Sequence, residues 1–162
     1  MNPTNDPVRE FLRHTVATLA YRAGKTLRGA PQSFATFRSG ETSRSPLKIL
    51  AHMGDLFEWA LSMARGQTTW RESEPMAWPS EVDRFFAAVK SFDDYLASGE
   101  PLHAPPETLF QGAIADALTH VGQLAFLRRL AGAPIRGENY SAAEIVAGRC
   151  GDTQAAPRNE FS

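Results

Sequence analysis

Four separate stretches of this chain repeat apolar residues at steps of three and four, and none alternates them at the strand period. Such steps follow the turn of an α-helix and gather one apolar stripe per stretch. Val8, Leu12, Val16, Leu19, Ala23 and Leu27 mark the first, over about residues 7–28. Asp6-Pro7 supplies its N-cap and a proline in its first turn. Ser45-Pro46 opens the second, whose stripe runs Ile49, His52, Leu56, Trp59, Met63. The third, from about Ser80 to Ala97, has a wholly apolar stripe: Val82, Phe85, Val89, Phe92 and Leu96. The fourth follows Pro105-Pro106 and closes at Gly132, a C′ residue ahead of Pro134. Its stripe, Leu109, Ala113, Asp116, His120, Gln123, Leu127, Leu130, is expected to face a core. Residues 29–45 and 66–79 read as connections, the second carrying Trp70 and Trp78 either as loop-packing residues or as the lining of a pocket mouth. Ser141-Ala-Ala-Glu144 is a capping box for a short fifth helix to about Ala147, and 152–162 read as an extended or loosely ordered tail. These elements predict an all-α, antiparallel four-helix bundle with a short C-terminal helix and tail. The expected organisation is a single domain over 1–162 with its core at about 7–148.

Two of the four stripes are interrupted by polar residues, and the interruptions match. His52 breaks the second, while Asp116, His120 and Gln123 follow one another in the fourth. Asp116 and His120 stand one turn apart, about 40° round the axis, so one ion can be shared between them. Polar groups on a core stripe are costly without partners. A site shared between the second and fourth helices supplies partners, and so does a purely structural polar cluster. His14 falls off the first stripe beside Arg22 and Lys25, and His103 lies in a loop; both read as solvated. Asp55 and Glu58, near His52, read as solvated surface carboxylates.

Charge and cysteine usage narrow the classes of function. A formal net charge of −1 provides no electrostatic footprint for nucleic acid. The single cysteine, Cys150, has no internal partner, which suits a reducing compartment. No apolar run approaches the roughly 20 residues that span a bilayer, and the polar start Met-Asn-Pro-Thr-Asn-Asp lacks a secretory core. The expectation is a cytoplasmic protein with no membrane and no nucleic-acid partner.

The segments Pro46-Leu-Lys-Ile-Leu-Ala-His52-Met-Gly-Asp-Leu and His120-Val-Gly-Gln123-Leu-Ala-Phe-Leu-Arg-Arg-Leu-Ala-Gly132 resemble the DinB-like (YfiT-like) superfamily of metalloenzymes. The stretch Pro134-Ile-Arg-Gly-Glu-Asn-Tyr140-Ser-Ala-Ala-Glu-Ile-Val-Ala-Gly148 is similar to the segment after the last long helix in one branch. The resemblance implies a four-helix bundle, often a homodimer, with a divalent metal held by three histidines in a His…His-x-x-x-His-x-Gly-Gln pattern. His52 matches the first histidine and His120 the last, while Asp116 replaces the middle one. Aspartate also binds zinc, nickel, iron or manganese, and two imidazoles with one carboxylate leave a formal charge near +1. Gln123 then serves either as an outer partner of a ligand or as a helix-to-helix hydrogen bond. Members of known activity include thiol-dependent S-transferases and a mycothiol-dependent maleylpyruvate isomerase. The expected activity is therefore a metal-dependent transferase or hydrolase that activates a low-molecular-weight thiol or water against a small-molecule substrate. The opposing expectation is a non-catalytic dimeric binding or stress-response bundle that has lost the metal, with Asp116 orienting a neutral histidine in a metal-free pocket.

Overall fold

The computed structural model describes residues 6–162; the polar start over 1–5 lies outside the described residues. Among the described residues the chain is helical apart from two strands of two residues each and the connecting segments. Helix α1 is Pro7–Leu27, α2 Pro46–Ala64 and α3 Trp78–Ser98. A last helical rod comprises α4 (Pro106–Leu109), a π-helical turn (Phe110–Ile114) and α5 (Ala115–Leu130). The expected starts hold where a side chain caps them. Asp6 accepts from the amides of Val8 at 3.0 Å and Arg9 at 3.4 Å, and Ser45 accepts from the amide of Lys48 at 3.4 Å. Gly132 has φ +77° and its amide bonds the Arg129 carbonyl, as a residue just past a helix end should.

Helix α2 packs against α3 and α5, and α1 packs against α3 and α5. Between them Phe57 touches Phe85 and Phe92 edge-on, with ring centroids 6.1 and 5.9 Å apart. Arg128 closes one end of the core. Its guanidinium donates to the carbonyls of Thr26, Arg28 and Ala133 at 2.9, 2.8 and 2.8 Å, joining the C-terminal ends of α1 and α5.

The π turn changes which residues of the last rod face inward. Leu109, Ala113, Ile114, Ala117, Val121 and Leu124 are buried, whereas Gln123 and Leu130 are exposed and Asp116 and His120 lie at the rim. The stripe read from regular α-helical spacing is therefore displaced beyond Ala113. Three successive steps of four, from Leu109 to Val121, would wind a stripe round a regular helix by about 120°. Hydrogen bonds that span five residues in the π turn absorb most of that drift. In α2 the fully buried line is Leu50, Met53, Phe57, Ala60 and Ala64, with His52 and Trp59 half-buried at its edge.

The expected fifth helix is absent: the capping box gives only a 3-10 turn, Tyr140–Ala142. Asn139 takes the cap instead, accepting from the Ser141 amide at 3.2 Å and its hydroxyl at 2.6 Å. Glu144 turns away to Arg149 and to Arg158, the latter at 2.6 Å. The tail is extended but anchored to its own chain. Strands β1 (Gly137–Glu138) and β2 (Glu160–Phe161) pair antiparallel, with Gly137 opposite Phe161. Lys25 Nζ bridges Glu138 and Glu160 at 2.7 and 2.8 Å, and the Tyr21 hydroxyl donates to Glu138 at 2.6 Å. Burial alone would raise the Glu138 carboxyl, but the bonds from Lys25 and Tyr21 outweigh it and hold the group below its ordinary range. Cys150 is buried, and burial pushes its thiol up to about 12. No helix of the described residues is long and apolar enough to cross a membrane.

Candidate metal centre

His52 on α2 meets Asp116 and His120 on α5, at the rim between the two helices rather than in the core. Each site residue comes from an element fixed independently. The Ser45 cap and the buried line of α2 set the azimuth of His52, and the π turn sets that of Asp116 and His120. The Asp116 carboxylate lies between the imidazoles: Oδ2 is 3.4 Å from His52 Nε2 and Oδ1 is 3.4 Å from His120 Nε2. One ligand atom from each of the three lies within 4.8 Å of the others. The imidazole planes stand nearly perpendicular with centroids 4.9 Å apart.

Those distances bear on two uses of the cluster. A charge-assisted N–H···O⁻ bond closes to about 2.7–2.9 Å, so 3.4 Å is long for a carboxylate that merely orients a histidine. With metal–ligand bonds of about 2.1 Å, tetrahedral geometry separates neighbouring donors by about 3.4 Å. Each carboxylate–imidazole edge has the length of a donor–donor edge, the two ending on different Asp116 oxygens, and a group of this kind could hold a divalent metal.

Gln123 Oε1 lies 2.8 Å from His120 Nδ1, one turn along the same helix; with Nδ1 protonated this is a hydrogen bond and the Nε2 lone pair faces the cluster. Gln123 thus bonds a histidine on its own helix, as an outer partner would, and makes no helix-to-helix bond among the described residues. Side-chain exposures are 12% for His120, 24% for His52 and 45% for Asp116, so the cluster is walled on the imidazole side and open at the carboxylate. Three clefts meet there: about 370 Å³ beside His120, about 540 Å³ beside His52 and about 520 Å³ beside Asp116. Three protein donors with open space beside them would leave an ion free to take further ligands.

Sequence reasoning misjudged one contributor, Asp55, and left another, Trp70, between two readings. Of those two, pocket lining fits Trp70: it lines the cleft beside His52, with its ring edge-on to His52 at 5.7 Å and to Trp59 at 5.8 Å. Thr69 holds it there through a 3.0 Å bond from its amide to the Ser62 hydroxyl. Asp55 is not a solvated surface carboxylate. It is buried, paired with Arg84 Nη1 at 2.9 Å, and accepts from the Ser73 amide at 3.0 Å. Arg84 also donates to Glu81 at 2.9 Å, Glu58 at 3.0 Å and the Ala51 carbonyl at 2.7 Å. Gly54 makes room for this clasp, since a Cβ there would sit 2.9 Å from Arg84 Cζ. A helical-spacing search for charged residues beside Gly54 would have found the buried carboxylate; nothing local marks Trp70. His14 is exposed, as expected, and neither it nor His103 joins the cluster. No protein-family model, no curated protein and no solved structure matches this chain.

Proposed function

We propose that this protein is a metal-dependent enzyme of DinB-like type, an antiparallel four-helix bundle and homodimer that activates a thiol for transfer to a small electrophilic substrate. The observation that carries the reading is the pair of 3.4 Å edges from Asp116 to the two histidines, with His120 already set by Gln123 to offer its Nε2 lone pair. His52 and His120 Nε2 and the Asp116 carboxylate are the ligands, and a divalent cation held there supplies Lewis acidity that makes a thiol or water nucleophilic near neutral pH. Around it, Trp70 and Trp59 shield the His52 ring from water on one side, and the exposed edge at Asp116 admits the reactants. Buried Cys150, high in pKa, is not a nucleophile in this scheme, so the thiol comes from a small molecule. The same free cysteine suits the reducing cytoplasm.

Hydrolysis uses the same ligands and differs only in the nucleophile, so the test must separate the two. Tag-free protein loaded with zinc, nickel, iron or manganese is incubated with an aryl chloride or an aryl ester, with and without L-cysteine or glutathione. Thiol-dependent consumption of the electrophile, lost in His52→Ala, is the expected result. Ester cleavage without thiol would replace transferase by hydrolase. Inactivity with every metal and thiol would favour a binding protein.

A further inference from the structure

We propose that the cleft beside His52 is a bipolar subsite for a small zwitterion, with the carboxylate of an amino-acid-like ligand at Arg44 and Lys48 and its ammonium at Glu72 and Glu74. As the binding pocket for substrate or co-substrate it rests on the metal-centre reading, but its charge selectivity does not. The cleft holds about 540 Å³, the size of a small-molecule site. Lys48 and His52 stand one turn apart on α2, so both side chains leave the same face of the helix. Arg44, two residues before the start of α2, lines this cleft and also the one beside His120, so a single cation serves both histidine sides. Trp70, Glu72 and Glu74, from the segment between α2 and α3, line the same cleft. The two glutamates flank Ser73, whose amide is pinned to Asp55 Oδ2 at 3.0 Å, so this wall is held in place rather than free to collapse.

None of the four charges has an ionic partner among the described residues. The fifth charge in the cleft, Asp55, is already committed to Arg84 and the Ser73 amide. Two cations from the start of α2 and two carboxylates from the segment before α3 thus line one cavity without pairing. A simple anion entering it gains from one wall and is repelled by the other, and a simple cation suffers the converse. A ligand carrying both charges is favoured by both walls.

The test is a titration followed by ¹H–¹⁵N NMR at the Trp70 indole, assigned with Trp70→Phe, on metal-free and zinc-loaded full-length protein. The probes are glycine, 4-aminobutyrate and 6-aminohexanoate against butyrate and butylamine. At least one zwitterion should bind about fivefold tighter than either singly charged probe, the gain expected of one exposed ion pair. Arg44→Ala with Lys48→Ala should erase its advantage over butylamine, and Glu72→Gln with Glu74→Gln its advantage over butyrate. All four positions lie outside the buried core, so the fold is retained and is checked in the same spectra. Equal binding of all five probes, or a ranking unmoved by both double variants, overturns the subsite. If zinc fails to bind while the ranking persists, the metal centre falls and the subsite stands; a flat ranking with zinc bound is the reverse.

Discussion

Replacing Gln123 by alanine isolates the part of the site that orients a ligand from the ligands themselves. Gln123 is exposed, and its side chain's described hydrogen bond is the 2.8 Å contact from His120 Nδ1. Alanine is the better helix former, so the stability of the metal-free protein should change by less than about 0.5 kcal/mol. His120 is what changes. Its ring is no longer held, and its proton is free to sit on Nε2, the atom 3.4 Å from Asp116 Oδ1. Loss of such an outer partner lowers metal affinity about 10–100-fold. At about 1.36 kcal/mol per decade, that is roughly 1.4–2.7 kcal/mol. Competition of tag-free protein against a chromophoric zinc chelator reads the affinity, and thermal melts of the metal-free proteins run beside it. Gln123→Glu provides the converse, because a carboxylate accepts the same N–H more strongly and should hold affinity at or above that of the parent protein. Parent-like zinc affinity in Gln123→Ala would refute the orienting role. So would a loss explained by an equal fall in the melting temperature of the metal-free variant.

Two further predictions concern the surroundings of the site. Arg84→Met leaves Asp55 and Glu81, 2% and 0% exposed in their side chains, without their cation, and should cost about 3–5 kcal/mol in urea unfolding; a cost below about 1 kcal/mol would show the clasp to be dispensable. The tail should detach in acid. The pKa of Glu138 is held down in the folded state, so its contribution is present above the ordinary glutamate range and disappears as pH falls below it. Amide cross-peaks of Glu138 and Phe161 should therefore move toward random coil below about pH 4, before those of α1 to α3, and simultaneous loss of all would contradict this order.

The legible parts of the fold were those written locally. Asp6-Pro7 and Ser45-Pro46 mark helix starts because a short acceptor side chain and a fixed φ act within one turn. That His52, Asp116 and His120 come together was legible for the same reason, as polar breaks in two apolar stripes. Their depth was not, because it depends on the π turn, which displaced the stripe after Ala113. A mark of that turn exists in retrospect. Gly112 sits inside it, where a Cβ would approach the Trp59 ring at 3.3 Å, and an isolated glycine in a helical pattern usually has such a packing cause. The Ser141-x-x-Glu144 box failed because distant competitors won: Asn139 took the cap and Arg149 with Arg158 took the glutamate. Trp70 beside His52 and the β1–β2 pairing arise from long-range contacts of short segments, which carry no periodicity to read.

Elemental analysis of protein purified without a histidine tag tests the metal centre most directly. About one divalent metal per chain is predicted in the parent protein, bound through three protein ligands. Near-complete loss is predicted in His52→Ala, Asp116→Asn and His120→Ala, with the helical circular dichroism of each variant intact. A parent protein that takes up no metal after incubation with zinc, nickel, iron and manganese, or variants that retain it at parent stoichiometry, would contradict a metal held by His52, Asp116 and His120.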